Sequence, residues 1–156
     1  MIAVDVPGLE PMELEHLLLD LNGTVAFDGE LIPDVAEAIA RIADQLRVVI
    51  ITADMHGTAD SLRMGLGIHV HVIDRGAEGE QKRAFAEELG PASVVAIGNG
   101  ANDAGLIAAA AVGICVLGPE GAATAALLAS DIIAPDILTA LGLLERPSRL
   151  VATLRR

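Results

Sequence analysis

Leu17-Leu18-Leu19-Asp20-Leu21-Asn22-Gly23-Thr24 decides the fold. A continuous apolar run that ends in a carboxylate and a turn reads as a strand buried on both faces, with a polar group at its carboxyl end. Upstream, Met12, Leu14 and His16 alternate, so one strand is predicted over 12–21. Met1 to Val6 also alternates before the Pro7-Gly8 break and is predicted to pair with it as a hairpin. Downstream, Val48-Val49-Ile50-Ile51 ends in Thr52, and a third apolar run over 93–97 ends in Gly98-Asn99-Gly100. Further strands are predicted over 68–73, 112–117 and 131–134.

Helical patterns fill the intervals. Pro33-Asp34 opens one, with Val35, Ile39 and Ile42 on one face, running to about Gln45. Others are predicted over 58–64, 78–89, 102–111 and 121–129, with closing helices over 137–144 and 148–154 split at Pro147. Asp28-Gly29, between Val25-Ala26-Phe27 and Leu31-Ile32, signals a small hairpin flap beside Asp20. Strands alternating with helices imply an α/β fold: a single doubly wound, Rossmann-like, mostly parallel sheet with helices on both faces. The intervals from Thr24 to Thr52 and from Thr52 to Lys82 hold one crossover each and leave no room for a cap domain. Residues 1–156 are expected to form one domain.

Composition narrows the function. The net charge is -12, and no basic stripe is visible. Trp and Tyr are absent, so stacking platforms for bases are missing too; nucleic acid is not an expected partner. No apolar run approaches the roughly 20 residues that span a bilayer, and no basic-then-apolar leader is visible. Cys115 is the only cysteine and reads as a small buried hydrophobe, which fits a reducing, cytoplasmic setting.

Ligands of a doubly wound sheet bind beyond the carboxyl ends of its strands. Asp20, Thr52, Asn99 and Asp103 fall at that edge. Lys82 is the only lysine, every other basic residue being arginine. It lies near the start of a helix that can point back to the edge. A lone lysine marks a place for a compact, flexible ammonium. Carboxylate, hydroxyl and ammonium together suit a phosphoryl group.

Four ordered motifs carry a resemblance: Asp20-Leu21-Asn22-Gly23-Thr24, Thr52 closing its strand, Lys82, and Gly98-Asn99-Gly100-Ala101-Asn102-Asp103. The chain resembles the haloacid dehalogenase-like hydrolase superfamily over nearly its whole length. Thr52-Ala53-Asp54 with Thr58-Ala59, and Asn102-Asp103-Ala104 with Ala110-Ala111-Val112-Gly113-Ile114, are similar to the phosphorylation domain of P-type ATPases and its soluble relatives. The resemblance implies a magnesium-dependent phosphohydrolase. Asp20 would be the nucleophile that forms an aspartyl-phosphate. Thr52 would bind a phosphoryl oxygen and Lys82 would neutralise charge. Mg²⁺ would be held by Asp20, the carbonyl of Asn22, Asn99 and Asp103.

Two positions depart from that pattern. Asn22 stands where phosphatases of the superfamily carry an acid–base Asp, and an amide has no titrating proton. Asn99 stands where they carry a metal-binding Asp. A slow enzyme is expected, because loss of a general acid–base group costs about 10²–10⁴-fold. The alternative is a catalytically weak phospho-binding or regulatory protein on the same scaffold. A receiver-type switch also aligns Asp, Thr and Lys, but its acidic ligands precede the phospho-accepting Asp, which is not the order here. Dehalogenation is disfavoured by the metal-site form of the fourth motif. The expected substrate is a small-molecule or protein-borne phosphate, with the uncapped site left open or closed by a second copy of the chain. Asp54, His56, His16, Phe27 and the pair His69 and His71 read as loop, structural or surface residues, with His56 a candidate at the cleft mouth.

Overall fold

The computed structural model describes residues 1–53 and 57–155. Asp54 and His56 lie outside them. A hairpin of β1 (Ile2–Val4) and β2 (Met12–Leu14) leads into β3 (His16–Asp20). The flap hairpin follows, β4 (Ala26–Phe27) and β5 (Glu30–Leu31), and then α1 (Val35–Ala43). Crossovers continue through β6 (Arg47–Thr52), α2 (Thr58–Leu66), β7 (His69–Val72), α3 (Glu78–Leu89), β8 (Val94–Gly98), α4 (Ala104–Ala109), β9 (Val112–Val116), α5 (Thr124–Ala129) and β10 (Ile132–Ala134). Helices α6 (Ile137–Glu145) and α7 (Pro147–Leu154) close the chain, with Pro147 as the first residue of α7.

The central sheet has the order β10-β9-β8-β3-β6-β7, and every pairing in it is parallel. The chain leaves β3 toward β6 and β7, then returns to β8 on β3's other side. Asp20 therefore ends the strand at the topological switch point, where the crevice opens. Leu19 is in register with Ile50 on one neighbour and Ile97 on the other.

The leucine run is buried on both faces, as its pattern predicts. Leu17 and Leu19 join a core with Ile39, Ile42, Leu141 and Leu144, from α1 and α6. Leu18 points the other way, into a core with Ala86 and Leu106, from α3 and α4. Each such leucine, fully buried, contributes about 1.5–3 kcal/mol.

One predicted element divides. The strand expected over 12–21 is two strands in two sheets. Residues 12–14 pair antiparallel with β1. At Glu15 the backbone already bonds across the parallel sheet, to Ser93 O at 2.9 Å and from Arg47 N at 2.8 Å. The flap forms around Asp28 and Gly29, both at positive φ (50° and 80°), as the turn requires. The fourth-motif helix begins as a 3-10 turn over Ala101–Asp103 before α4.

Candidate active site

A cleft of about 390 Å³ opens at the carboxyl edge of the sheet, between the ends of β3, β6 and β8. Asp20, Asn22, Thr52, Lys82 and Asn99 all line it. Residues from four separated segments meet there because parallel strands put their carboxyl ends on one edge.

Lys82 is 1% exposed, a burial that lysine tolerates only when paired. It sits one turn into α3, and its Nζ donates to Asp20 Oδ1 at 2.5 Å and to Asp103 Oδ1 at 2.7 Å. Burial opposes its charge, but the two carboxylates outweigh this and raise its pKa above the ordinary value. The carboxyl of Asp20 is pushed up to about 7, first by burial and then by the Asp103 carboxylate, against the pull of Lys82.

Asp103 is completely buried and does not line the cleft. Its Oδ1 accepts from Lys82, and its Oδ2 accepts from the backbone amides of Asn99 at 3.0 Å and Gly100 at 2.8 Å. Expected as a metal ligand, it stands behind the site and ties Lys82 to the end of β8. Gly98 makes this possible, since a Cβ there would fall 2.5 Å from the Asp103 carboxyl carbon.

Thr24 belongs to the first motif but carried no expected role. Its buried hydroxyl lies 3.4 Å from Asp20 Oδ2 and 3.3 Å from Asn99 Oδ1, bridging the first and fourth motifs. Asn99 Nδ2 donates to Gly121 O at 3.1 Å, which fixes the amide orientation and leaves Oδ1 on the Thr24 side.

Arg75, Glu78 and Glu120, which sequence reasoning passed over, also line the cleft, as does Asn102 of the fourth motif. Gln81 shapes the Arg75 loop, bonding Asp74 N and O and Gly76 O through its side chain. Glu78 Oε2 accepts from Asn102 Nδ2 at 2.9 Å. Glu120 follows β9 in the turn Gly118-Pro119-Glu120-Gly121. The strand-end rule that singles out Asp20 applies to that loop as well; it was the available signal.

The donors available to a cation are hard oxygens: the Asp20 carboxylate, the Asn22 carbonyl, Asn99 Oδ1 and Glu120. Such a set fits Mg²⁺. Gly23 keeps space clear among them, because a Cβ there would lie 2.5 Å from Glu120 Oε2 and 3.0 Å from Asn99 Oδ1.

The remaining candidates lie away from the cleft. His71 is half-buried and stacks on Phe85 with ring centroids 3.9 Å apart; burial and His69 lower its pKa. Cys115 is buried. Phe27 and the flap do not line the cleft; they border a separate apolar cleft with Pro119, Ile137 and Leu138. The flap, expected beside Asp20, packs instead toward Pro119 and Ile137 and does not cover the polar cleft.

The structure is an open parallel α/β sheet with an Asp–Lys–Asp charge cluster at its switch point. The family described as haloacid dehalogenase-like hydrolase matches residues 2–112, and the chain belongs to it. An uncharacterised protein of Methanocaldococcus jannaschii is 44% identical over 90 residues, 53% of this chain and 97% of that protein. A probable copper-transporting ATPase of Arabidopsis thaliana is 31% identical over 147 residues. That match covers 86% of this chain but only 14% of the ATPase. The crystal structure of 3-deoxy-D-manno-octulosonate 8-phosphate phosphatase from Moraxella catarrhalis, with magnesium and phosphate ions bound, superposes with a TM-score of 0.65. It is 20% identical, covering 91% of this chain and 94% of that one, and so attests the shared fold.

Proposed function

We propose that the chain is a magnesium-dependent phosphohydrolase that works through Asp20. The observation that carries this reading is the Lys82–Asp20 contact at 2.5 Å on the floor of a cleft that Thr52 and Asn99 also line. Asp20 attacks phosphorus, the bond to the leaving oxygen breaks, and an aspartyl-phosphate forms. Water then attacks the same phosphorus, the bond to Asp20 breaks, and inorganic phosphate leaves. Lys82 pulls Asp20 toward its ionised form and balances charge on the transferring group. Thr52 offers its hydroxyl to a phosphoryl oxygen. Asp103 is a positioning residue that holds Lys82 and the Asn99 loop. Asp20, the carbonyl of Asn22 and Asn99 would hold the cation, which would supply neutralisation of phosphoryl charge.

Asn22 cannot protonate the leaving group or take a proton from water, so turnover is slow and favours aryl or acyl phosphates. The substrate is a small-molecule or protein-borne phosphate, met in the cytoplasm. Phosphate release from an aryl phosphate with Mg²⁺, compared between the wild type and Asp20→Asn, tests this. Activity that survives Asp20→Asn overturns it. Asn22→Asp is expected to raise turnover by about 10²-fold or more. Equal or lower turnover removes the account of Asn22. The amides at 22 and 99 also favour a second reading, a phospho-binding regulator. It is supported if wild type and Asp20→Asn release phosphate equally slowly while the wild type still binds Mg²⁺ and a phosphate mimic.

A further inference from the structure

We propose that Glu120 supplies the carboxylate that position 99 lacks and serves as a ligand of the divalent cation in the Asp20 cleft, an assignment that rests on the phosphohydrolase reading.

Charge at the site is the first argument. Asn99 brings an oxygen but no charge. Both oxygens of Asp103 are engaged, by Lys82 and by the amides of Asn99 and Gly100, and the residue does not reach the cleft. Asp20 shares its own charge with Lys82. A dication at this edge therefore needs a carboxylate from elsewhere.

Position is the second argument. The point that a Cβ on Gly23 would occupy lies 2.5 Å from Glu120 Oε2, 2.7 Å from Asn99 Nδ2 and 3.0 Å from Asn99 Oδ1. The carboxylate and the amide thus both approach one point beside the nucleophile loop, with room for only a hydrogen atom at position 23. Gly23 has φ +81°, so the turn and the clearance both call for glycine. Glu78, the other glutamate of the cleft, is bonded to Asn102 instead.

The third argument links positions 99 and 120. Asn99 Nδ2 donates to Gly121 O at 3.1 Å, and Asn99 O accepts from Ala123 N at 2.8 Å. An aspartate at 99 has no N–H for Gly121 and would set a carboxylate against that carbonyl. The amide at 99 is therefore the strut for the loop that carries Glu120. Loss of a carboxylate at one position and placement of one at the other are a single structural exchange.

Mn²⁺ titration by calorimetry without substrate tests the assignment. Glu120→Gln is expected to bind Mn²⁺ at least about tenfold more weakly than wild type. Its thermal unfolding in EDTA is expected to match wild type, because Glu120 is exposed. Asn99→Asp added to Glu120→Gln is expected to recover part of the affinity by returning a charge to the site. Asp20→Asn reports on the site itself. If Asp20→Asn weakens Mn²⁺ binding and Glu120→Gln does not, the assignment of Glu120 falls while the phosphohydrolase reading stands. If neither variant weakens it, both fall. If Glu120→Gln keeps its Mn²⁺ affinity but shifts the pH profile of phosphate release, Glu120 moves a proton and the ligand assignment is overturned.

Discussion

Lys82, itself almost wholly buried, holds two carboxylates together. Removing one member of a buried charge cluster strands the rest. Lys82→Met is expected to lower stability by about 3–5 kcal/mol, read by urea denaturation, and Asp103→Asn in the same chain is expected to return part of that loss. Lys82→Arg is expected to reduce phosphate release sharply, since a planar guanidinium does not fit a socket shaped to one ammonium. Full activity in that variant would mean the socket is indifferent to the cation. Asp20 adds a pH dependence. Its folded pKa of about 7 lies above the ordinary 3.8. The associated stability is complete below about pH 4 and is lost as pH rises to about 7. Without metal, the stability difference between wild type and Asp20→Asn should therefore fall across that window. A flat difference in EDTA would contradict the raised pKa. At this scale the meeting of Asp20, Thr52 and Lys82 in one cleft was legible because strand ends and a lone lysine leave marks in sequence. The engagement of Asp103 was not, since spacing places a residue on an element without saying which atoms it meets. Glu120 lies in a loop that the strand-end rule reaches, but a turn has no periodicity to single out one residue of it.

At the scale of elements, the parallel sheet was legible because doubly buried strands read as unbroken apolar runs. The division between β2 and β3 was half-visible. The pattern changes near Glu15, but continuity in sequence hid the passage from one sheet to another, which depends on bonds to Ser93 and Arg47, distant in the chain. The flap hairpin was legible in its turn chemistry and misplaced in space. Phe27 draws it toward Pro119 and Ile137, an apolar preference that local sequence does not reveal. The junction of β8 with its following turn offers a sharp test. Gly98→Ala puts a methyl 2.5 Å from the Asp103 carboxyl carbon, at the buried end of β8. A loss of about 1–3 kcal/mol is expected, together with lower activity as Lys82 loses its support. A stable, fully active Gly98→Ala protein would show that Asp103 can move without consequence.

The whole molecule presents its polar cleft to solvent, and among the described residues no inserted domain covers it. Size selection at an open cleft is weak, so KM is expected to vary little between compact and bulky aryl phosphates. A net charge of -12 repels anionic substrates at a distance. Screening shortens that reach to about 8 Å at physiological ionic strength. KM for a phosphate ester is accordingly expected to fall as salt rises from low to physiological concentration. A KM that rises instead would mean that local positive potential dominates the approach. Among the described residues no helix is long and apolar enough to cross a membrane.

The bonds from the amides of Asn99 and Gly100 to Asp103 have a consequence for hydrogen exchange. Amides in a short turn at a cleft edge ordinarily exchange within the time of local fraying. These two donate to a carboxylate that is itself locked by Lys82 beneath the sheet edge. Their protons are freed when the Asp103 carboxylate turns away from them, a movement that must also break its bond to Lys82 of α3. Their exchange should therefore be as slow as that of the central strands, and their protection should vanish with Asp103→Asn. Two turn amides thus become reporters of whether the charged floor beneath the nucleophile is intact.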